Sequence, residues 1–111
     1  AECIRESLGG DVGIIISDSI GRAWRNGTVG TAIGISGLPG IIDLNGILDM
    51  NARSLQATTI GLADEIAAAA PIIMGQAAES RPLVLVRGLS KLTQIGNARQ
   101  IMRPKELDLF R

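Results

Sequence analysis

Hydrophobic residues fall along the chain in short blocks separated by glycine and small polar residues, and the blocks change period from one to the next. Ala1 to Leu8 reads as a helix end closed by Gly9 and Gly10. From Val12 to Ser17 the run Ile14-Ile15-Ile16 is too short and too uniformly apolar for a surface helix, and predicts a buried strand. Ser17-Asp18-Ser19, three residues able to bond their own backbone, followed by Gly21, predict that this strand stops there in a turn. Thr28 to Ser36 alternates glycine with Ile33 and Ile35 in strand fashion. Ile41 to Leu44 predicts another short strand, and Asn45-Gly46 is a strong turn signal.

The period then lengthens. Thr58 or Thr59 can cap a helix running to about Met74, with Ile60, Ala63, Ala67, Ala70 and Met74 on one side and Leu62, Ile66 and Ile73 widening the apolar surface. A helix so rich in alanine packs centrally in a core or closely against another helix, because small side chains permit close approach. Pro71 within it removes a hydrogen bond and predicts a kink, and Gly75 predicts the stop. Gln76 to Arg81 reads as a polar loop, Pro82 opens a predicted strand over Leu83 to Arg87, and Asn97 caps a predicted helix to Met102 with Pro104 beyond it.

Composition narrows the possible chemistry. The 111 residues match one domain or a fragment of one, and the start at Ala1, without an initiator methionine, reads as a fragment or processed piece. Eleven basic and eleven acidic residues cancel, so there is no basic footprint for nucleic acid or an anionic membrane. The longest apolar stretch, Ile66 to Met74, is about half a bilayer span and no signal peptide opens the chain, so the reading is a soluble, cytoplasmic protein. With no histidine and Cys3 as the lone cysteine, the usual zinc sites and histidine triads are excluded. Trp24 and Phe110 are the only aromatics, too few for base stacking. Chemistry must then run on carboxylates, hydroxyls, amides and guanidinium groups.

Four groups of residues merit weighing. Asp18 and Ser19 offer the hard oxygen donors that magnesium or manganese prefers, with Arg22 close behind to hold a phosphate, although such residues ordinarily cap or bend a chain. The loop Met74-Gly75-Gln76-Ala77-Ala78-Glu79-Ser80-Arg81 leaves a helix carboxyl end, the polarity opposite to a phosphate cradle, and is ordinarily a surface connection; oxygens of Gln76 and Glu79 are the atoms that could face a cation. Arg22 and Arg25 around Trp24 fit equally a phosphate or carboxylate grip over a packed indole and a solvated turn with one buried ring. Asp64 and Glu65 are adjacent on a helix and cannot point together, which favours a structural role over a shared proton.

Taken together, "IIISDSIGRAWRNG", "AIGISGL", "LADEIAAAAPIIMGQ", "LVLVRGL" and "ARQIMRPKELDLFR" resemble, in order, the coenzyme F420-0:L-glutamate ligases, also called F420:gamma-glutamyl ligases. The resemblance covers the later, C-terminal portion of that family's chain. It implies an α+β fold of short glycine-rich strands packed with an Ala-rich buried helix in an intertwined homodimer. It also implies a ligase that joins L-glutamate to F420-0 through an acyl phosphate, using GTP, divalent metal (Mn2+ or Mg2+) and K+.

By that resemblance Asp18 matches the carboxylate on the first metal and Ser19 the hydroxyl associated with the second. Met74 to Arg81 matches the nucleotide-contacting loop, within which Gln76 stands where an acidic second-metal ligand can occur; a neutral amide there weakens the electrostatic hold. Ala77 and Ala78 stand where glycines are common. Further departures are Asp49 to Ser54 and Pro71. The family's earlier half supplies a further metal-binding Asp, an Asn and nucleotide contacts, so these residues alone are expected to be inactive. The alternatives are a non-catalytic dimerisation and scaffold segment of that fold and a nucleotide-binding module independent of metal.

Overall fold

The computed structural model describes residues 2–8, 12–89 and 95–108. Helix α1 is Glu2–Leu8, as its pattern predicts; the Gly9-Gly10 stop lies outside the described residues. The main feature is an antiparallel hairpin of β1, Ile14–Arg22, and β2, Arg25–Ser36. A second, minimal sheet pairs β3, Ile42–Asp43, with β4, Thr59–Ile60. Helix α2, Leu62–Ala69, and the single turn α3, Pro71–Met74, follow. Two short 3-10 helices, Ala98–Ile101 and Lys105–Leu107, come last. The architecture is mixed α+β. No described helix is long and apolar enough to cross a membrane.

The first strand does not end where its polar residues predict. Ser17, Asp18 and Ser19 are strand residues, paired with Ala32, Thr31 and Gly30, and β1 runs on to Arg22. A strand persists wherever a neighbour takes its backbone bonds, and β2 supplies them, so the turn-forming tendency of Ser-Asp-Ser is overridden. The local signal emerges instead as a bulge: Ile16 faces Gly34 and Ser17 faces Ala32, which leaves Ile33 without an opposite residue. Nor is the isoleucine run wholly buried, since Ile16 is 60% exposed.

The alanine helix loses a hydrogen bond at Pro71, while Ala70 between its two parts keeps helical dihedrals at φ −56° and ψ −43°. α2 ends at Ala69, and Pro71 takes the first position of α3, where its missing N–H costs least. The residue four back from Pro71 is Ala67, whose carbonyl is thereby denied its helical donor. That carbonyl points at Gly30 of β2, so closely that a Cβ on Gly30 would overlap its oxygen and lie 2.9 Å from its carbon. Helix and strand meet backbone to backbone there, a contact of the Cα–H···O kind that only glycine admits. Gly75 closes α3 at φ 74°, donating its N–H to Pro71 O.

The helix start differs from expectation. Thr59 belongs to β4, and Gly61 precedes Leu62 with no side chain capping the helix. Burial is carried by small residues: Ala32, Ala63 and Ala67 form the central cluster, with Ile15, Ile35 and Ile101 packed on it and Leu38 and Leu62 also buried. The apolar surface beyond the break is not covered, with Ile72 82% and Ile73 57% exposed.

Leu83 to Arg87 forms no strand among the described residues. A β-run exists only through its ladder, and no described strand pairs with this segment. Asn97 does cap its predicted helix, accepting from Arg99 N at 2.9 Å, although the helix is of the tighter 3-10 type. Asn45-Gly46 makes the predicted turn, with Gly46 at φ 84° and Ile47 N–H bonded to Leu44 O.

Candidate functional site

The packing of α2 and α3 on the hairpin leaves a cleft of about 240 Å³ between the two. Its strand wall is Ser17, Asp18 and Ser19, and its helical wall is Pro71, Met74, Gly75 and Gln76. Asp18, Ser19 and Gln76, far apart in sequence, thus meet at one place. They do so because the bulge before Ser17 re-aims the strand and because the helix, carried past Pro71 through a helical Ala70, stops at Gly75 and delivers Gln76 beside it.

Two of these three donors are held by hydrogen bonds. Asp18 Oδ1 accepts from the Ser19 backbone N–H at 2.7 Å, which fixes the carboxylate along the open edge of β1. Thr28 Oγ1 donates to Gln76 Oε1 at 3.2 Å, tying the amide to β2 across 48 residues of sequence. The wall therefore offers hydroxyl, carboxylate and amide oxygens, the donor chemistry of a hard divalent cation. Among the described residues lining the cleft, Asp18 alone carries a negative charge. One carboxylate suits a cation whose other ligands are water and a substrate's phosphate oxygens.

The remaining predicted residues separate into those at the cleft and those away from it. Met74 and Gly75 line it, whereas Ala77, Ala78, Glu79, Ser80 and Arg81 form an exposed loop beyond. Glu79 folds back over Gly75, its Oε2 accepting from Ala77 N at 2.8 Å, and so is engaged with its own loop. Arg81 Nη1 donates to Ile73 O at 3.3 Å, placing a cation at the end of α3 where free carbonyls favour one.

Arg22 and Arg25 face each other at the far end of the hairpin, outside the cleft lining. Arg22 Nη2 donates to Asn26 O at 3.3 Å. Neither a packed nor a buried indole sits between them: Trp24 has φ 58° at the hairpin tip and is 94% exposed. A two-residue turn has no interior in which to bury a ring. A larger hollow, of about 320 Å³, touches Thr59, Asp64, Gln100 and Arg103 and contains none of the predicted site residues.

Sequence reasoning missed two residues that shape this region. Thr28 orients Gln76, and Asp64 binds β2 through Thr31 Oγ1 at 3.0 Å and Ala32 N at 2.9 Å. The structural role that the sequence favours for Asp64 is thus a specific one. Neither partnership has a local signature, because each joins residues more than thirty positions apart. Asp43, at the end of β3, and Asp49 accept from backbone N–H groups of Asn45, and of Asn51 and Arg53, respectively.

Comparison with known proteins bears on the whole segment. The family model of F420-0:gamma-glutamyl ligase matches residues 1–88. The chain is similar to coenzyme F420:L-glutamate ligase of Methanothermobacter thermautotrophicus, at 44% identity over 110 residues, 97% of this chain and 44% of that protein. It is equally similar to the ligase of that name from Methanocaldococcus jannaschii, at 44% identity over 100% of this chain and 46% of the relative. The one from Methanopyrus kandleri is also 44% identical, over 97% of this chain and 44% of its own length. The chain spans less than half the length of these curated relatives. With the matched region reaching from the first helix through the hairpin, the broken helix and its loop, the chain belongs to the F420-0:gamma-glutamyl ligase family.

Proposed function

We propose that this chain is part of a cytoplasmic ligase that joins L-glutamate to coenzyme F420-0 by an amide bond, with GTP as phosphoryl donor. The observation that carries this reading is the convergence of Asp18, Ser19 and Gln76 on one oxygen-lined cleft. In that reading a terminal carboxylate oxygen of F420-0 attacks the γ-phosphorus of GTP, GDP leaves, and an acyl phosphate forms. The glutamate amine then attacks the acyl carbon, phosphate departs, and the amine loses its proton. A divalent cation, Mn2+ or Mg2+, when bound, neutralises charge on the moving phosphoryl group.

The chain's own residues do the positioning. Asp18, Ser19 and Gln76 would hold the cation, with the Ser19 N–H fixing Asp18 and the Thr28 hydroxyl fixing Gln76. Met74 to Arg81 would contact the nucleotide, and Arg22 and Arg25, at the hairpin tip and outside the cleft lining, would grip phosphate or carboxylate groups of a substrate that extends beyond it. A homodimer would cover Ile16, Ile20 and Ile33 of the hairpin, which are 60%, 46% and 59% exposed.

The same exposed isoleucines, with the single carboxylate of the cleft, favour a second reading: a non-catalytic dimerisation and scaffold segment derived from this fold. Chromatographic detection of the glutamylated product separates the two. The complete polypeptide is expected to form it from F420-0, glutamate and GTP with Mn2+, and residues 1–111 alone are expected to form none. A complete polypeptide without such activity would leave the scaffold reading standing.

A further inference from the structure

We infer that Asp64 is a positioning residue for the cleft, setting the strand rung that carries Asp18 relative to the helix that carries Gln76. The inference rests on the cation-holding reading of the cleft given above. Asp64 Oδ1 accepts from both Thr31 Oγ1 and Ala32 N, and in the hairpin register Thr31 stands opposite Asp18 and Ala32 opposite Ser17. Farther along, the Ala67 carbonyl abuts Gly30, opposite Ser19, and Gln76 bonds Thr28, opposite Gly21. Three contacts therefore step down β2 as the chain steps up α2 and α3, and they bracket the rungs that carry Ser17, Asp18 and Ser19.

Asp64 is distinct among the three because it is charged and makes two bonds at once. The buried centre of the interface is made of small side chains, Ala63 and Ala67 against Ala32, with Ile15 and Ile35 beside them. Alanine faces attract without interlocking, so burial holds the helix on the strand but leaves its sliding and tilt loosely defined. Directional bonds from a carboxylate define both. Its neighbour Glu65 is exposed and has no such part. Without the Asp64 carboxylate, α2 keeps the Ala63 N–H bond to Gly40 O at its N-terminal end but loses its directional tie to β2 beside Asp18, so the helix is free to shift on the strand about the Gly30 contact and the two walls of the cleft lose their fixed separation.

The test is Mn2+ affinity of the complete polypeptide, measured by electron paramagnetic resonance of free Mn2+ at a temperature where circular dichroism shows each variant folded. Asp64→Ala is expected to weaken binding about tenfold, the scale on which supporting residues act at metal sites. Asp64→Asn keeps an oxygen to accept from Ala32 N–H, and is expected to recover most of the affinity. Thr31→Val removes one bond of the pair and is expected to fall between wild type and Asp64→Ala, which keeps the question answerable if the alanine variant does not fold. Hydrogen exchange at the Ala32 amide should accelerate in Asp64→Ala. Wild-type affinity in Asp64→Ala or Thr31→Val, or an Asn variant as weak as the alanine one, overturns the inference. If Asp18→Ala also binds Mn2+ as wild type does, the cleft reading itself fails and the role of Asp64 falls with it; loss in Asp18→Ala alone overturns only the role of Asp64.

Discussion

Replacing Gly30 by alanine introduces a methyl group at the point where helix and strand touch. That Cβ would overlap the Ala67 carbonyl oxygen and lie 2.9 Å from the carbonyl carbon and 3.1 Å from Pro71 Cγ. Gly30 does not have a positive φ, so the cost is one of space and not of backbone conformation. Carbon atoms settle at about 3.5–4.0 Å, which requires α2 to retreat by roughly 0.6 Å or more. A gap of that size forfeits about a quarter or more of each contact across it, and the contacts at stake are those of Ala32, Ala63 and Ala67, the centre of the small core. Overpacking of this kind costs about 1–3 kcal/mol, equivalent to a Tm drop of roughly 5–15 °C for a domain near this size. The control is Gly21→Ala on β1, where nothing lies within 4 Å of the added carbon and a change within about 0.5 kcal/mol is expected. Thermal melts followed by circular dichroism compare the two. If Gly30→Ala melts no lower than Gly21→Ala, the close approach of helix and strand is refuted, and with it the construction of the cleft.

Two further substitutions separate stability from site geometry. Pro71→Ala returns an N–H to the Ala67 carbonyl and completes the hydrogen-bond ladder from α2 to α3 through Ala70, which is already helical, so Tm should not fall, while Mn2+ binding weakens as relief of the ring's clash with that carbonyl shifts Gly75 and Gln76 relative to β1. An unchanged affinity would show that Pro71 does not shape the site. Gln76→Glu keeps the acceptor for the Thr28 hydroxyl and adds a second carboxylate to a wall that has one, so Mn2+ titration should show tighter binding than in wild type. A weaker or equal affinity would remove Gln76 from the cation's surroundings.

How much of this was legible in the sequence depended on the range of the interaction. Gly46, Pro71, Gly75 and Asn97 act on their immediate neighbours, and the turn, the lost helical bond, the helix stop and the cap all lie where those residues predict. Ser17-Asp18-Ser19 has the composition of a turn, yet the pairing that keeps it extended comes from Gly30, Thr31 and Ala32, which no local pattern reveals. Leu83 to Arg87 has the composition of a strand, yet no described strand pairs with it. Within the site, the oxygen chemistry of Asp18, Ser19 and Gln76 was visible from residue type and family resemblance. The bonds of Thr28 and Asp64 were not, since polar side chains of this kind occur throughout the chain and only the fold selects their partners.

Diffraction from crystals of the complete polypeptide soaked in Mn2+, with data collected at the manganese edge, tests the central claim most directly. The expected result is an anomalous peak in the cleft between β1 and Gln76, with an Asp18 carboxylate oxygen about 2.1 Å away, as is usual for a small hard divalent cation, and no peak in Asp18→Ala. A cleft without manganese under saturating conditions, with Asp18 bonded only to the Ser19 N–H, would contradict the account.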